Sequence, residues 1–532
     1  MVKMNSHRRL ALYASLIVIG YAAGYGLDML SSVLMSQDAA ATLASYALVR
    51  QTGTLAVSLF RFIASAGRAI VARKDAAKHY EPLPTIVRQI LLFSAATSVL
   101  GCVVILVARD ELLAGVNTEG EELVPESESA LIIFSVGAIF SGIYASLYAV
   151  LIGLFQFGFL LTLGISSGIT FSFLSLFLFL HTDLGINAFS IAYFAYNILC
   201  VALSLFFIYG WPSNRARYNF RLFGASSASA PSVREWISEF RKSISWLWGQ
   251  SATYVIKNFI AIYLVTRSSP TKGSLYALLM SFTGITSLVA DGAGYVTTIT
   301  APRLIGVGDV SGNKNYASFF TLSNFFLRFN GLWSICTCVA LIVLGKSLVL
   351  SSSSMADDGS SVYEDLISTQ LFVLVGFHQI VVSLSVTLEA LLVGAHDFRF
   401  VGQESLVAFL VGFLPVILAA AYTDGPVEMF LAAETLFYGI RMILTLARWL
   451  VVIKPQLQSA LLTEQQTQSA RQALEDDPQP SRCSCCHLFV SVLCCGQAFD
   501  AVKLVIDDLA KSIDRTPPRA VDPELVAESD AK

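Results

Sequence analysis

Long apolar segments separated by short polar ones make up most of the chain. A membrane-spanning helix needs about 20 mostly apolar residues. Twelve segments meet that requirement, near residues 10–35, 43–71, 86–108, 129–155, 159–180, 186–209, 243–267, 273–304, 317–350, 364–394, 399–422 and 427–453. The pattern predicts an all-α integral membrane protein with twelve transmembrane helices. The first segment is longer than the roughly 7–15-residue apolar region of a signal peptide, so we expect it to be retained.

The composition agrees with a membrane protein. Hydrophobic residues make up 55% of the 532 residues and charged residues 14%, against about 25% charged residues in soluble domains. The net charge of −3 gives no sign of a basic face, so we expect no nucleic-acid partner. Phosphate-binding loops, zinc-protease motifs and nucleophile elbows are absent from the sequence, so we expect neither an enzyme nor a resident cofactor.

The charges between the segments alternate in sign. Basic residues collect before the first segment and after even-numbered ones, whereas the loops near 110–128 and 357–365 are acidic. Cytoplasmic loops carry the excess of Lys and Arg in membrane proteins. We therefore expect an even number of spans and both termini in the cytoplasm, although Arg267 and Lys272 depart from the pattern. The sequence leaves open which membrane holds the protein.

The two halves of the chain resemble each other. The Tyr-Ala-Leu motif at 46–48 recurs at 276–278, a shift of 230 positions, and Gly153 corresponds to Gly394 at a shift of 241. Each half holds six segments, which predicts two pseudo-symmetric six-helix lobes related by an axis along the membrane normal. The expected organisation is a first lobe at 1–212, a cytoplasmic linker at 213–242, a second lobe at 243–453 and a cytoplasmic tail at 454–532.

Four short motifs occur in an order that resembles the multidrug and toxic compound extrusion (MATE) family of cation-coupled antiporters. They are Gly-Tyr-Gly-Leu-Asp-Met at 24–29, Leu-Ile-Gly-Val-Gly-Asp at 304–309, Leu-Val-Gly-Ala-His-Asp at 392–397 and Phe-Leu-Pro at 413–415. The resemblance covers roughly residues 10–453. It implies two six-helix lobes, multidrug efflux of organic compounds and coupling to Na⁺ or H⁺.

Two departures from the family pattern leave the coupling ion and the charge of the substrate open. The fifth segment has only hydroxyl groups at 164–172, where the family often has Asn and Asp. Lys257 stands where several bacterial members have Glu.

The sequence therefore predicts a secondary transporter: an antiporter that exports a small organic solute by alternating access between two lobes. Two alternatives remain. Basic residues at membrane depth also suit a flippase for a lipid-linked precursor, a function found in the same superfamily, and a non-transporting scaffold or channel has the same hydropathy. The partners we expect are the solute and membrane lipid.

Ionisable side chains inside apolar segments point to the site, because each costs about 2.5–3.5 kcal/mol at the bilayer centre unless it faces a cavity or a partner. For ion coupling we predict Asp28, which follows glycines that permit a bend, and Glu389. Asp28 could instead be solvated near the membrane surface. The residues predicted to line the substrate cavity are Arg61, Tyr193, Tyr196, Asn197, Tyr254, Lys257, Asn258, Asp291 and His378.

Some of these charges also have structural interpretations. Lys257 either pairs with a carboxylate such as Asp291 or Glu389, or binds an anionic group of the substrate. Glu434 and Arg441 lie two turns apart on one helix face and are predicted to form a structural ion pair.

The tail contains a cluster of cysteines beside an apolar stretch. The candidates for lipidation are Cys483, Cys485, Cys486, Cys494 and Cys495. Such clusters suit S-palmitoylation, but the cysteines could also be a reduced apolar patch that docks on a cytoplasmic partner or on the membrane surface. Adjacent cysteines fit the ligand spacing of zinc sites poorly, and we expect no metal.

Overall fold

The computed structural model describes residues 26, 29–60, 62–76, 80–114, 123–154, 156–220, 233–305, 316–353, 362–395, 397–459 and 462. Asp28, Arg61 and the five cysteines of the tail lie outside the described residues. Their predicted roles in ion coupling, substrate binding and lipidation stay predictions.

All regular secondary structure in the described residues is helical. The first helix, α1, is described over 29–38. The helices that follow are α2 (Ala40–Ser58), α3 (Phe62–Ala76), α4 (Leu83–Ala114), α5 (Ser127–Gly153), α6 (Phe157–His181), α7 (Ile186–Leu205), α8 (Pro212–Tyr218), α9 (Val233–Ser268), α10 (Pro270–Ile305), α11 (Tyr316–Ser351), α12 (Thr369–Gly394), α13 (Phe398–Val407), α14 (Leu414–Tyr422) and α15 (Val427–Arg448). π-helical turns extend α7 over Phe206–Gly210 and α15 over Trp449–Ile453.

Among the described residues, nine helical stretches are long and apolar enough to cross a membrane. They correspond to the third to sixth and the eighth to twelfth predicted spans. The first predicted span is described only from its end, and the seventh corresponds to the more polar helix α9. The prediction of an all-α, multi-pass membrane protein is confirmed, and the first and seventh spans are still predictions.

The second predicted span, 43–71, is wrong as a single helix. It is divided into α2 and α3, and the chain tightens between them, where the amide of Phe60 donates to the carbonyl of Val57 at 3.1 Å. Hydropathy does not reveal this break, because apolar residues such as Leu59 and Phe62 stand on both sides of it.

The eleventh span has a similar irregularity at its centre. A π-helical turn over Ala408–Phe413 separates α13 from α14, which has Pro415 in its first turn. Proline has no amide proton to donate, and its ring crowds the preceding turn. The wider π turn directly before it accommodates this interruption, as is common in membrane helices.

The outward surface of the bundle is apolar. Large apolar side chains such as Val107 on α4, Phe173 on α6 and Val343 on α11 are 81%, 69% and 67% exposed. A contiguous apolar surface of this kind is costly in water but favourable in lipid. The exposed faces of these helices are therefore the lipid-facing ones.

The internal repeat is visible in the packing of the helices. A Cβ atom built on Gly153 of α5 would lie 2.9 Å from Cγ1 of Val71 on α3. A Cβ atom on Gly394 of α12 would lie 2.6 Å from Cβ of Ala301 on α10. Val71 and Ala301 are themselves 230 positions apart. The same close helix contact thus occurs once in each half, and glycine permits it in both.

Candidate transport cavity

Two adjacent cavities lie between helices of the two halves. The first has a volume of about 300 Å³ and is lined by residues of α1, α2, α9, α10, α12 and α15. The second has a volume of about 360 Å³ and is lined by residues of α3, α9, α10, α12, α13 and α15. The two share Ser287, Val382 and Tyr438 in their walls. We call them cavity 1 and cavity 2.

The cavities lie towards opposite sides of the membrane. Tyr276 and Glu434 in cavity 1 lie about two turns into α10 and α15, which begin on the side of the loop between α11 and α12. In cavity 2, Glu389 lies towards the end of α12, and Arg68 lies midway along α3, which follows α2 towards that same side. We name the first side the acidic side and the second the basic side, after the charge of their loops.

Lys257 and Glu434 form a fully buried ion pair in the wall of cavity 1, with side chains that are 1% and 2% exposed. The hydroxyl of Tyr276 donates to the second oxygen of Glu434 at 3.1 Å. The ammonium group also lies over three aromatic rings, 5.8 Å from that of Phe413, 5.1 Å from Phe437 and 5.0 Å from Tyr438. Lys257 thus pairs with a carboxylate, as one of its two interpretations predicted, but the partner is Glu434 on α15 and not Asp291 or Glu389.

Glu389 opens into cavity 2. Its side chain is 16% exposed, and it accepts hydrogen bonds from Gln250 and, at 3.2 Å, from the hydroxyl of Tyr254. Asp291 and Arg68 line the same cavity. The guanidinium of Arg68 stacks on the ring of Tyr295, a residue of the opposite half. Cavity 2 therefore holds two carboxylates and a cation at membrane depth.

Arg441 is completely buried and contacts two carboxylates behind cavity 2. Its Nη2 lies 2.5 Å from Oε2 of Glu389, and both Nε and Nη2 donate to Oε1 of Glu404, at 3.1 and 2.9 Å. The predicted pair of Arg441 with Glu434 is therefore wrong. Residues seven positions apart on a helix are about 10 Å apart along its axis, which is too far for an ion pair.

Glu404 was not predicted as a site residue. It lies in the second turn of α13 with its side chain fully buried, and Thr445 Oγ1 lies 2.9 Å from its Oε2. The signal for it in the sequence was a carboxylate six residues into an apolar segment, with no compensating charge one turn away on the same helix.

His378 and Asn258 both line cavity 1. The Nδ1 of His378 is 3.2 Å from the hydroxyl of Thr435, and its ring packs edge-on against Tyr438 at 5.7 Å. His378 and Glu389 share one face of α12, as their spacing predicts, but they reach different cavities.

Tyr193, Tyr196 and Asn197 line neither of these two cavities, contrary to the prediction. They belong to α7, where the ring of Tyr196 packs against Phe171 at 5.9 Å, and Asn197 donates to the carbonyl of Tyr193 at 2.8 Å. The amide of Asn197 is thus satisfied within its own helix, and Tyr196 packs inside the first half.

The two halves contact each other on both sides of the cavities. On the acidic side, Ser32 and Ser281 hydrogen-bond at 2.8 Å, and Tyr363 bridges Ser36, at 3.0 Å, and Ser274. On the basic side, the guanidinium of Arg68 on α3 lies 4.5 Å from the ring centroid of Tyr295 on α10. The cavities are bounded by inter-lobe contacts towards both membrane faces.

Comparison with known proteins identifies this arrangement. The MatE family model matches residues 17–171. The crystal structure of the eukaryotic MATE transporter AtDTX14 matches with a TM-score of 0.69 at 15% identity, over 86% of this chain and 98% of that one. The chain has the MATE transporter fold. The resemblance to the MATE family that was stated from the sequence motifs is therefore confirmed.

Other MATE structures give similar agreement. The Vibrio cholerae MATE transporter VcmN in its bent form matches with a TM-score of 0.62 at 13% identity, over 86% of this chain and 97% of that one. An inward-facing multidrug resistance MATE family transporter of the MOP superfamily gives 0.63 at 12% identity, over 86% and 99%. A comparison with curated proteins gives no match. At these identities the structural matches establish the MATE fold.

Proposed function

We propose that this protein is a cation-coupled secondary transporter that exports organic compounds in exchange for H⁺ or Na⁺. The observation that carries the proposal is Glu389, a carboxylate at membrane depth that is open to a cavity between two lobes of the MATE fold. Such a carboxylate is expensive in a membrane unless it has a function or a partner. It can bind a cation from the cavity and release it to the other side when the lobes move.

Alternating access is supported by the division of the space between the lobes into cavity 1 and cavity 2. The combined cavities reach from Ser32 near the acidic side to Phe398 near the basic side, and inter-lobe contacts bound them on both sides. Breaking either set of contacts exposes the cavities to one side alone. A solute that occupies them is then transferred without a continuous pore, which a channel would need.

The charges around the cavities favour an organic solute over a polyanionic lipid precursor. Among the described residues that line the cavities or belong to ion-pair groups that include a lining residue, the basic ones are Arg50, Arg68, Lys257 and Arg441, and the acidic ones are Asp291, Glu389, Glu404 and Glu434. Basic and acidic groups are thus equal in number. A flippase for a diphosphate-linked lipid would need basic groups in excess, so the flippase remains the second candidate.

The remaining parts of the proposal come from the sequence. We place both termini in the cytoplasm, so that the acidic side is the outer one, and we assign a second coupling role to Asp28. The transported cation is the only ion that the mechanism requires. The tail cysteines would attach the tail to the membrane surface or to a cytoplasmic partner.

The experiment is solute flux in proteoliposomes under an imposed pH or Na⁺ gradient, with fluorescent organic cations, zwitterions and anions as substrates. Gradient-driven flux in the wild type that is lost in Glu389→Gln is the expected result. Asp424→Asn, which changes an exposed carboxylate outside the cavities, serves as the control and should transport normally. Flux that ignores the gradient, or no flux of any substrate, would contradict the proposal.

A further inference from the structure

The group formed by Glu389, Arg441 and Glu404 has more negative than positive charge. One guanidinium serves two carboxylates, and with both carboxylates ionised the group has a charge of −1. An uncompensated charge in a low-dielectric interior is costly, so the group has a strong tendency to take up one proton or one metal cation. Arg441 also has a donor in reserve, since its buried Nη1 has no hydrogen-bond partner in the described part of the chain.

The two carboxylates differ in access. The side chain of Glu389 is 16% exposed and lines cavity 2, whereas that of Glu404 is 0% exposed and does not line it. A cation that enters from the cavity therefore reaches Glu389 and not Glu404. The groups that face Glu389 are Gln250 and Tyr254 from α9, Asp291 from α10, Tyr438 and Arg441 from α15, with Arg68 of α3 in the same cavity.

Arg441 makes two hydrogen bonds to the inaccessible carboxylate and one to the accessible one. Glu404 accepts from both Nε and Nη2 of Arg441, whereas Glu389 accepts from Nη2 alone. Both bonds to Glu404 converge on Oε1 and are charge-assisted, so the bond from Nε still holds the guanidinium in place when Nη2 moves away from Glu389. The guanidinium also stacks on the ring of Tyr254, 4.6 Å from its centroid, so it stays within reach of Glu389 after that contact opens.

We propose that Glu404 is a positioning residue of the coupling site. It holds the guanidinium of Arg441, so that Glu389 can exchange its contact with Arg441 for a contact with the transported cation. When the cation binds, Arg441 keeps Glu404 as its counterion. When the cation leaves, Arg441 contacts both carboxylates again and prevents Glu389 from standing uncompensated. This inference rests on the proposed function. It adds Glu404 on α13 and Arg441 on α15 to the coupling site of Glu389.

The test is Glu404→Gln. Without the second carboxylate, Arg441 and Glu389 form a neutral pair, and an entering cation must leave Arg441 without a counterion. We expect the apparent affinity for the coupling cation to fall at least tenfold, so that half-maximal transport needs ten times more Na⁺ or a pH about one unit lower. Glu404→Asp, which keeps the charge, should restore part of the affinity.

Two further variants separate this effect from misfolding. Thr445→Val removes a hydroxyl beside Glu404 Oε2 with little change in shape and should shift the affinity in the same direction, by about threefold. The control is Asp397→Asn, which breaks the 2.7 Å ion pair between Asp397, directly before α13, and Arg448, at the end of α15. This variant should leave the affinity for the coupling cation unchanged. Stabilisation of the purified protein against heating by Na⁺ or by protons gives the affinity without transport.

The outcomes are distinct. Suppose that the cation drives transport by the wild type and stabilises it, and that Glu404→Gln and Thr445→Val need the same cation concentration as the wild type. Glu404 then has only a structural role, and this inference is overturned while the proposed function stands. If the wild type shows neither gradient-driven flux nor stabilisation by a cation, the proposed function is overturned and this inference with it.

Discussion

Tyr46 and Tyr276 are separated by 230 positions in the chain and line the same cavity. Each is followed by an alanine that also lines it, Ala47 and Ala277. The two lobes thus present equivalent side chains to one space, which lies near the pseudo-symmetry axis. A solute bound there contacts both lobes and can couple a movement of one lobe to a movement of the other.

The close helix contacts of the repeat give a test of the packing. In Gly394→Ala, the added methyl group would meet Cβ of Ala301 at 2.6 Å, and neither small residue can rotate away. We expect this variant to lose about 1–3 kcal/mol of stability, measured as a lower melting temperature in detergent. Gly331→Ala on α11 is the matched control, because its new Cβ meets nothing within 4 Å and alanine favours a helix. Equal melting temperatures for the two variants would contradict the contact.

Much of this fold could be predicted from the sequence because the bilayer imposes simple rules. Backbone polar groups must be satisfied within each span, so each apolar segment of sufficient length becomes a helix. The repeat of Tyr46 at Tyr276 then indicated how the halves correspond. The break between α2 and α3 could not be predicted, since it depends on a local change in backbone hydrogen bonding that the apolar residues beside it do not indicate.

The pairing of charges was not predictable in the same way. Sequence spacing shows which residues share a face of one helix, as for Glu434 and Arg441. The pairs that form join different helices, Lys257 with Glu434 and Arg441 with Glu404. They depend on how far each helix is shifted along the membrane normal, which hydropathy does not determine.

The pair of Lys257 and Glu434 can be tested as a structural element. Removing one member of a buried ion pair leaves an uncompensated charge and costs about 3–5 kcal/mol, whereas replacing both members by groups of similar size is close to neutral. We expect Lys257→Met to melt at a clearly lower temperature and the double variant Lys257→Met/Glu434→Gln to recover most of the loss.

Transport by the double variant then decides the role of Lys257. The ammonium of Lys257 is 1% exposed, is neutralised by Glu434 and lies beside three aromatic rings, which leaves it little access to a substrate anion. We therefore expect the stable double variant to transport organic cations at close to the wild-type rate. A folded double variant that has lost transport would instead identify Lys257 as a substrate ligand.

The contacts on the acidic side predict a shift in conformation. Tyr363 connects Ser36 of the first half with Ser274 of the second through its hydroxyl group. Tyr363→Phe removes both hydrogen bonds, each worth about 0.5–1.5 kcal/mol, and keeps the ring. We expect the acidic side to open more often, so that a cysteine at Ala277 in cavity 1 is labelled several-fold faster by a reagent that does not cross the membrane. Ser353→Ala, on the same side, should not change the labelling rate.

The final prediction concerns Asp28, whose role rests on the glycines at 20, 24 and 26 before it and on its match to the acidic residue in the first span of the family. A cation can shift an equilibrium between helix conformations only as far as it binds one of them better. Asp28→Asn removes the titrating group and nearly keeps its shape.

We expect Asp28→Asn to insert and fold, and to lose gradient-driven export of an organic dye from proteoliposomes. Comparison with Glu389→Gln then shows which of the two carboxylates, Asp28 or Glu389, binds the coupling cation. If each binds its own coupling cation, each single variant keeps a weaker dependence on the gradient, and the double variant has none. If Asp28→Asn transports at the wild-type rate with unchanged dependence on pH and Na⁺, Asp28 has no part in coupling, and the dependence must come from the site of Glu389, Arg441 and Glu404.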